Sequence, residues 1–212
     1  MARVSVITCV FNGADVVSSA VDSIRTQTLT DWECIICDDA SRDGTWKVLE
    51  GLVGGDERFI CIRNDTNRGP AYSRNRCIGR AQGEFIAVQD ADDVSATERL
   101  ERQAGFLDSR PDVCAVGSFA RLIDGDGTAW GELRVRREPG KRDWRKGSQV
   151  IHASVMFRKS DMEDVGLYDE GMRIAEDYDL FTRLVARGRT VVTVPEFLYA
   201  VRWDASSYGR KG

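Results

Sequence analysis

The stretch GEFIAVQDADD, Gly83–Asp93, reads as a buried strand (Phe85-Ile86-Ala87-Val88) running into three carboxylates, Asp90, Asp92 and Asp93. Acids gathered at the end of an apolar strand repel each other and are costly to desolvate. A divalent cation relieves both problems, and carboxylates at i and i+2 of a turn can face one ion. Mg²⁺ or Mn²⁺ is commonly held by one or two carboxylates, with phosphate oxygens completing the shell. The same acids could also simply end a strand and cap the helix that follows. The rest of the chain has to decide.

Upstream of this stretch, strand and helix patterns alternate. VSVITCVF (Val4–Phe11) is a continuous apolar run suited to a strand buried on both faces. After the turn at Asn12-Gly13, the residues Val16, Val17, Ala20, Val21 and Ile24 recur at helical spacing. ECIICDD (Glu33–Asp39) is a second strand, Ser41–Leu52 a second helix and FICIR (Phe59–Arg63) a third strand. Pro70 opens a helix that runs to Gly83, and a further helix is expected over Thr97–Asp108. This order predicts an α/β fold with a mostly parallel, doubly wound sheet. Ligands bind such sheets beyond the carboxyl ends of the strands. Both acidic clusters, Asp38-Asp39 and Asp90–Asp93, fall at such ends.

The second half reads differently. Val113–Ile123 is a strand, and a hairpin turns near Asp124–Gly127, which lacks the later ligands of a calcium loop. Glu138–Gly147, with Trp144 isolated in it, reads as a mobile loop, and IHASVMFR (Ile151–Arg158) as a strand. A short helix (Ser160–Val165) and a longer one (Ala175–Gly188) follow, and then strand structure broken at Pro195.

The chain has 212 residues, enough for one domain with a substantial core. Thirty Lys and Arg stand against 34 Asp and Glu, a net charge of −4 with the basic residues dispersed, so a nucleic-acid partner is not expected. No apolar run reaches the roughly 20 residues that span a bilayer, and the N-terminus reads as a core strand rather than a signal peptide. The six cysteines sit mostly in apolar runs, which suggests buried thiols and a cytoplasmic protein. Cys34 and Cys37 have redox or zinc spacing, but on a strand i and i+3 point to opposite faces, and no second pair answers them.

Taken together, the motifs resemble the family 2 glycosyltransferases, inverting nucleotide-sugar enzymes of the GT-A fold. VSVITCVFNG resembles the family's opening strand, SIRTQTLTDWECIICDDASRDGT its second block, and NRGPAYSRNRCIGRAQGEFIAVQDADD the block holding its Asp-x-Asp element. ASVMFRKS, VGLYDE and AEDYDLFTRL are similar to its acceptor-side strand and Glu-Asp helix. The resemblance implies one GT-A domain over 1–212: a Rossmann-like nucleotide-sugar half (1–93) and an acceptor-side half (94–212) with a smaller mixed sheet. It implies that Asp39 accepts the imide N–H of a uracil-like base, while Cys9 and Phe11 line the base pocket. Asp90 then reaches the ribose or the metal shell, Asp92 binds Mn²⁺ or Mg²⁺, and Arg74 faces the nucleotide, although Arg74 could equally be a solvated helix residue. Asp177 becomes the catalytic base, held ionised by the helix dipole, with Asp93, His152 and Glu176 on the donor-sugar and acceptor side. Glu176 and Asp177 are also ordinary first-turn acids, and a lone strand histidine is often structural.

The family frequently has a basic residue near the diphosphate after its last strand. Here the nearest match is Arg202 in YAVRWDASS, which cannot be assumed to ligate metal. The early end at Gly212 argues against a processive, membrane-embedded synthase, and peripheral membrane association stays open. The expected activity is transfer from a nucleotide-diphospho-sugar, UDP-linked, to a carbohydrate or lipid-linked hydroxyl. The alternatives are an inactive nucleotide-sugar-binding relative and a sugar-1-phosphate nucleotidyltransferase, although the Gly-rich basic loop of the latter is missing. A dehydrogenase would need Gly-x-Gly-x-x-Gly after the first strand, and VFNGADV lacks it.

Overall fold

A computed structural model describes residues 2–203. In chain order the regular elements are β1 (Val4–Val10), α1 (Val17–Arg25), β2 (Trp32–Asp38), α2 (Thr45–Val53), β3 (Phe59–Arg63), α3 (Pro70–Ile78), β4 (Phe85–Val88) and β5 (Val94–Ser95). These are followed by α4 (Arg99–Ser109), β6 (Val113–Ile123), β7 (Ala129–Leu133), β8 (Met156–Arg158), α5 (Lys159–Asp164), α6 (Glu176–Ala186) and β9 (Thr190–Arg202).

The strands form one nine-stranded sheet in the order β3-β2-β1-β4-β8-β6-β9-β5, with β7 paired to β6. Alternation along the strands feeds two cores. Val4 and Val6 of β1 and Cys34 and Ile36 of β2 pack on one face with α1, α2 and α4. Ile7, Ile35 and Cys37 pack on the other with α3, α5 and α6. Cys34 and Cys37 therefore lie on opposite sides of the sheet, as their spacing predicts, and all six cysteines are free.

The β3-β2-β1-β4 half is parallel throughout. The sheet as a whole is mixed: β8 runs antiparallel between β4 and β6, β5–β9 and β6–β7 are also antiparallel, and the long β6–β9 pairing is parallel. Among the described residues there is no separate smaller sheet in the second half, because β8 carries the ladder straight through. Gly83 is needed where α3 returns to the sheet: its N–H donates to Ser5 Oγ, and a Cβ there would stand 2.6 Å from the Ser5 nitrogen.

Three other expectations change. Strand structure does not span Ile151–Arg158, because His152–Ser154 form a 3-10 turn in which Ser154 Oγ donates to Ile151 O at 2.8 Å. Such local side-chain bonds compete with a ladder. The last strand is not broken at Pro195: β9 continues past it, and the register against β6 jumps from Ser118↔Val194 to Phe119↔Phe197, a bulge that absorbs the missing N–H. Trp144 is not isolated in a mobile loop. It is buried, packs 5.3 Å from the Phe181 ring, and its carbonyl accepts the Tyr178 hydroxyl.

Candidate active site

The carboxyl ends of β1, β2 and β4 set the site. The loop after β1 is laced to the loop after β2: Asn12 N–H donates to Ser41 Oγ (2.9 Å), Gly13 N–H to Thr45 Oγ1 (2.9 Å) and Ala14 N–H to Asp43 (3.2 Å). Asn12 and Ala40 hold left-handed backbone conformations there, at φ 53° and 61°. Such strain persists only where surrounding contacts over-determine it.

Asp38 and Asp39 point to different tasks. Asp38 accepts Ser41 N–H at 3.0 Å and pairs with Arg63 at 3.0 Å, closing the turn. Neither acid caps α2, which begins only at Thr45. Asp39 is buried, with Oδ1 accepting from Asn64 Nδ2 (2.6 Å) and Arg68 N–H (2.8 Å) and Oδ2 from Gly69 N–H (2.8 Å). It thus ties β2 to the entrance of α3. A carboxylate has about four acceptor positions, so three donors leave one for a further N–H. Cys9 lies half-buried with its Sγ 3.8 Å from Pro70 O, and burial pushes its thiol up to about 12. Phe11 is exposed at the same end of β1.

The acidic turn after β4 is split rather than uniform. Asp90 is partly exposed and Asp92 exposed, whereas Asp93 is buried and its Oδ1 accepts Arg202 N–H at 2.8 Å. Burial, reinforced by the charges of Asp90 and Asp92, holds the Asp93 carboxyl well above the usual carboxylate range. Three acids facing one ion is therefore not the arrangement found. Among the described residues, no three His, Cys, Asp or Glu side chains converge to cage a metal. Asp90 and Asp92 suit a hard cation that needs only one or two protein carboxylates and takes its other ligands from phosphate and water.

Arg74 is buried rather than solvated. Its Nη1 lies 2.6 Å from Glu176 Oε1 and its Nη2 3.4 Å from Asp90 Oδ1. This brings the start of α6 to the acidic turn. Glu176 and half-buried Asp177 occupy the first turn of α6, behind Ala175 at φ 62°. His152 is half-buried with Nε2 2.8 Å from the Tyr168 hydroxyl. Burial, then the Arg74 charge, holds its pKa well below 6.5, so the ring is neutral. Arg202 is engaged within the protein. Its guanidinium donates to the carbonyls of Asp92 (2.9 Å), Asp124 and Gly125 (2.7 Å each) and to Ser19 Oγ (3.3 Å), clasping the acidic turn to the β6–β7 hairpin. The rest of the YAVRWDASS segment beyond Trp203 lies outside the described residues.

Sequence reasoning passed over Asn64, Gln89, Arg99, Tyr168 and Tyr199, which hold these groups in place. One signal was available: Arg99 and Gln103 sit i, i+4 apart among Leu100, Ala104 and Leu107, polar residues on an apolar helix face.

The fold and site define a nucleotide-sugar transferase of the GT-A type. The profile described as Glycosyl transferase family 2 matches residues 5–166. The chain is 33% identical to the putative glycosyltransferase EpsE of Bacillus subtilis, covering 99% of this chain and 76% of that protein. It is 37% identical, over 89% of this chain and 72% of that protein, to the UDP-Glc:alpha-D-GlcNAc-diphosphoundecaprenol beta-1,3-glucosyltransferase WfaP of Escherichia coli. This chain belongs to glycosyl transferase family 2, a family of enzymes acting on nucleotide sugars. Its fold is shared with S. aureus TarS 1-349 in complex with UDP-GlcNAc (TM-score 0.79, 20% identity, 95% of this chain). It is shared too with the mannosyltransferase PcManGT of Pyrobaculum calidifontis in complex with GDP-Man and Mn²⁺ (TM-score 0.77, 22% identity, 97% of this chain). The chain spans 59% and 58% of those two structures. Among the described residues, no helix is long and apolar enough to cross a membrane.

Proposed function

We propose that this chain transfers a sugar, with inversion, from a UDP-linked donor to a hydroxyl of a carbohydrate or lipid-linked acceptor. The observation that carries this reading is the Arg74 bridge, which joins Asp90 on the acidic turn to Glu176 beside Asp177. It brings the acidic turn, with the proposed nucleotide-facing acid, next to the start of α6, with the proposed base. The acceptor oxygen bonds to the anomeric carbon as the bond to the diphosphate breaks, and the hydroxyl proton passes to the Asp177 carboxylate. The helix dipole favours the ionised form of Asp177 that this step requires. Asp39 accepts the base imide N–H, between Cys9 and Phe11. Asp92, with Asp90, holds Mn²⁺ or Mg²⁺, which supplies neutralisation of the charge growing on the leaving diphosphate. Residues 1–93 serve the donor and 94–212 the acceptor.

The UDP-glucose and undecaprenol-linked substrates in the name of WfaP support a uridine donor and a lipid-linked acceptor. An acceptor of that kind places the reaction at the cytoplasmic face of a membrane, with the chain bound peripherally. The GDP-mannose and Mn²⁺ held by PcManGT support a divalent metal and favour a guanosine donor as the second reading.

Calorimetric titration with UDP, GDP and dTDP, each with Mn²⁺ and with EDTA, tests the proposal. UDP binding that depends on Mn²⁺ is expected. Tighter GDP binding would replace the uridine assignment, and folded protein that binds no nucleotide would overturn the reading.

A further inference from the structure

Among the described residues, Arg99 is the largest side chain fully withdrawn from solvent. Its N–H groups all find acceptors: Nε on Gln103 Oε1 (3.1 Å), Nη1 on Gln89 Oε1 (3.2 Å) and Ser95 Oγ (2.9 Å), and Nη2 on the carbonyls of Val88 (2.7 Å) and Ala153 (3.3 Å). None of these acceptors is a carboxylate. Burial pushes Arg99 down to about 10, so the group still carries its charge at neutral pH. A buried cation without an anionic contact is strongly unfavourable unless charge nearby compensates it. The charges of Asp90 and Asp93 act on the guanidinium, which sits 4.8 Å over the Tyr199 ring.

Two relays run outward from this cation, and both end on the acidic turn. In the first, Gln89 accepts from Arg99 and its Nε2 donates to the carbonyls of Asp90 and Asp93, at 3.0 Å each. In the second, the Tyr199 ring rests against Arg99, and its hydroxyl accepts Asp90 N–H at 3.1 Å. The Asp93 side chain is near the same hydroxyl. Three residues further along β9, Arg202 N–H holds Asp93 at 2.8 Å. The turn is thus bracketed through its backbone and its inward acid, while Asp90 and Asp92 keep their outward positions.

We propose that Tyr199, backed by Arg99, is a positioning residue: its hydroxyl holds the Asp90 backbone as part of the bracket and so aims Asp90 and Asp92 at the donor diphosphate. This rests on the nucleotide-sugar reading above, and it assigns Asp93 a supporting place rather than a place in the metal's shell. The second half of the chain thereby sets the geometry of a turn that belongs to the first. Errors of about 1 Å in such placements are costly, because supporting contacts hold functional groups to roughly half an ångström.

Calorimetric titration of UDP and GDP, with Mn²⁺ and with EDTA, would be run on wild type, Tyr199→Phe and Asp93→Asn, beside melting curves in EDTA. Phenylalanine keeps the ring against Arg99 and removes only the hydroxyl. Tyr199→Phe is expected to weaken nucleotide binding about tenfold in Mn²⁺ and to leave binding in EDTA within about twofold. Asp93→Asn retains an acceptor for Arg202 N–H, and it is expected to keep metal-dependent binding within about threefold of wild type. Unchanged binding by Tyr199→Phe in Mn²⁺ would overturn the proposal, as would equal losses in Mn²⁺ and EDTA, which would mark a general packing defect. Should Tyr199→Phe fail to fold, Asp93→Asn decides: complete loss of metal-dependent binding there would make Asp93 a ligand and remove the bracket. Wild type that binds neither nucleotide would overturn the donor reading itself, a failure visible before any variant is compared.

Discussion

Arg74 Nη1 stands 2.6 Å from Glu176 Oε1 across 102 positions of chain, and both side chains are only about a tenth exposed. A buried pair of this kind contributes little net stability, but breaking it strands a charge. Arg74→Met should therefore destabilise by about 3–5 kcal/mol in urea unfolding. Adding Glu176→Gln should recover part of that loss, with a coupling of about 0.5–3 kcal/mol across the double-mutant cycle. Additive losses would show that the pair does not join the two halves energetically.

Asp177 shares the first turn of α6 with Glu176 but does not join its ion pair with Arg74. The two acids should therefore fail differently. Asp177→Asn should bind the donor nucleotide within about twofold of wild type and lose about 10²–10⁴ in kcat, the range typical of a general base. Transfer assays under donor saturation, beside calorimetry on the same preparation, make the comparison. Near-normal turnover would move the base elsewhere on the cleft.

Gly69 is required by Asp39. Its N–H reaches Asp39 Oδ2 at 2.8 Å only because the backbone sits at φ 87° and ψ 170°, a region open essentially to glycine. Gly69→Ala should cost about 1–3 kcal/mol of stability through this strain. It should also weaken nucleotide binding in Mn²⁺ and EDTA alike, because it disturbs the base pocket and not the acidic turn. A loss confined to Mn²⁺ would place Asp39 with the phosphates instead.

Much of this architecture was legible in the residues. The ends of β2 and β4 just before Asp39 and Asp90, the helix opened by Pro70 and the apolar stripe of α6 all follow from periodicity and turn chemistry. The antiparallel insertion of β8 was not, because a three-residue strand carries no pattern of its own and its partners, β4 and β6, lie far away in sequence. The division of labour within DADD was equally hidden. Asp92 and Asp93 look alike in sequence, and the β9 backbone at Arg202 holds one of them inward. Arg202 is in sequence the nearest match to the family's basic residue near the diphosphate, with no role fixed by it; in the fold, backbone carbonyls from two other segments occupy its guanidinium. Tertiary contacts assign roles that residue type leaves open.

His152 offers a test of the wall behind the site. Its neutral ring is bonded to Tyr168 at 2.8 Å, and its pKa is held well below 6.5 by burial and then by the Arg74 guanidinium. Below pH 6.5 the unfolded chain binds a proton that the folded chain refuses. Stability must then fall as pH drops from about 6.5 toward the folded-state value, by at most about 1.4 kcal/mol per pH unit. His152→Gln keeps a polar partner for Tyr168 and cannot titrate in this range. The carboxylates contribute to both proteins and cancel in the difference. Urea unfolding at pH 7.5 and 5.5 should therefore show wild type losing about 1 kcal/mol more than the variant over that interval. Equal losses would mean that the ring takes up its proton in the folded state, and that Tyr168 and Arg74 surround an imidazolium rather than a neutral ring.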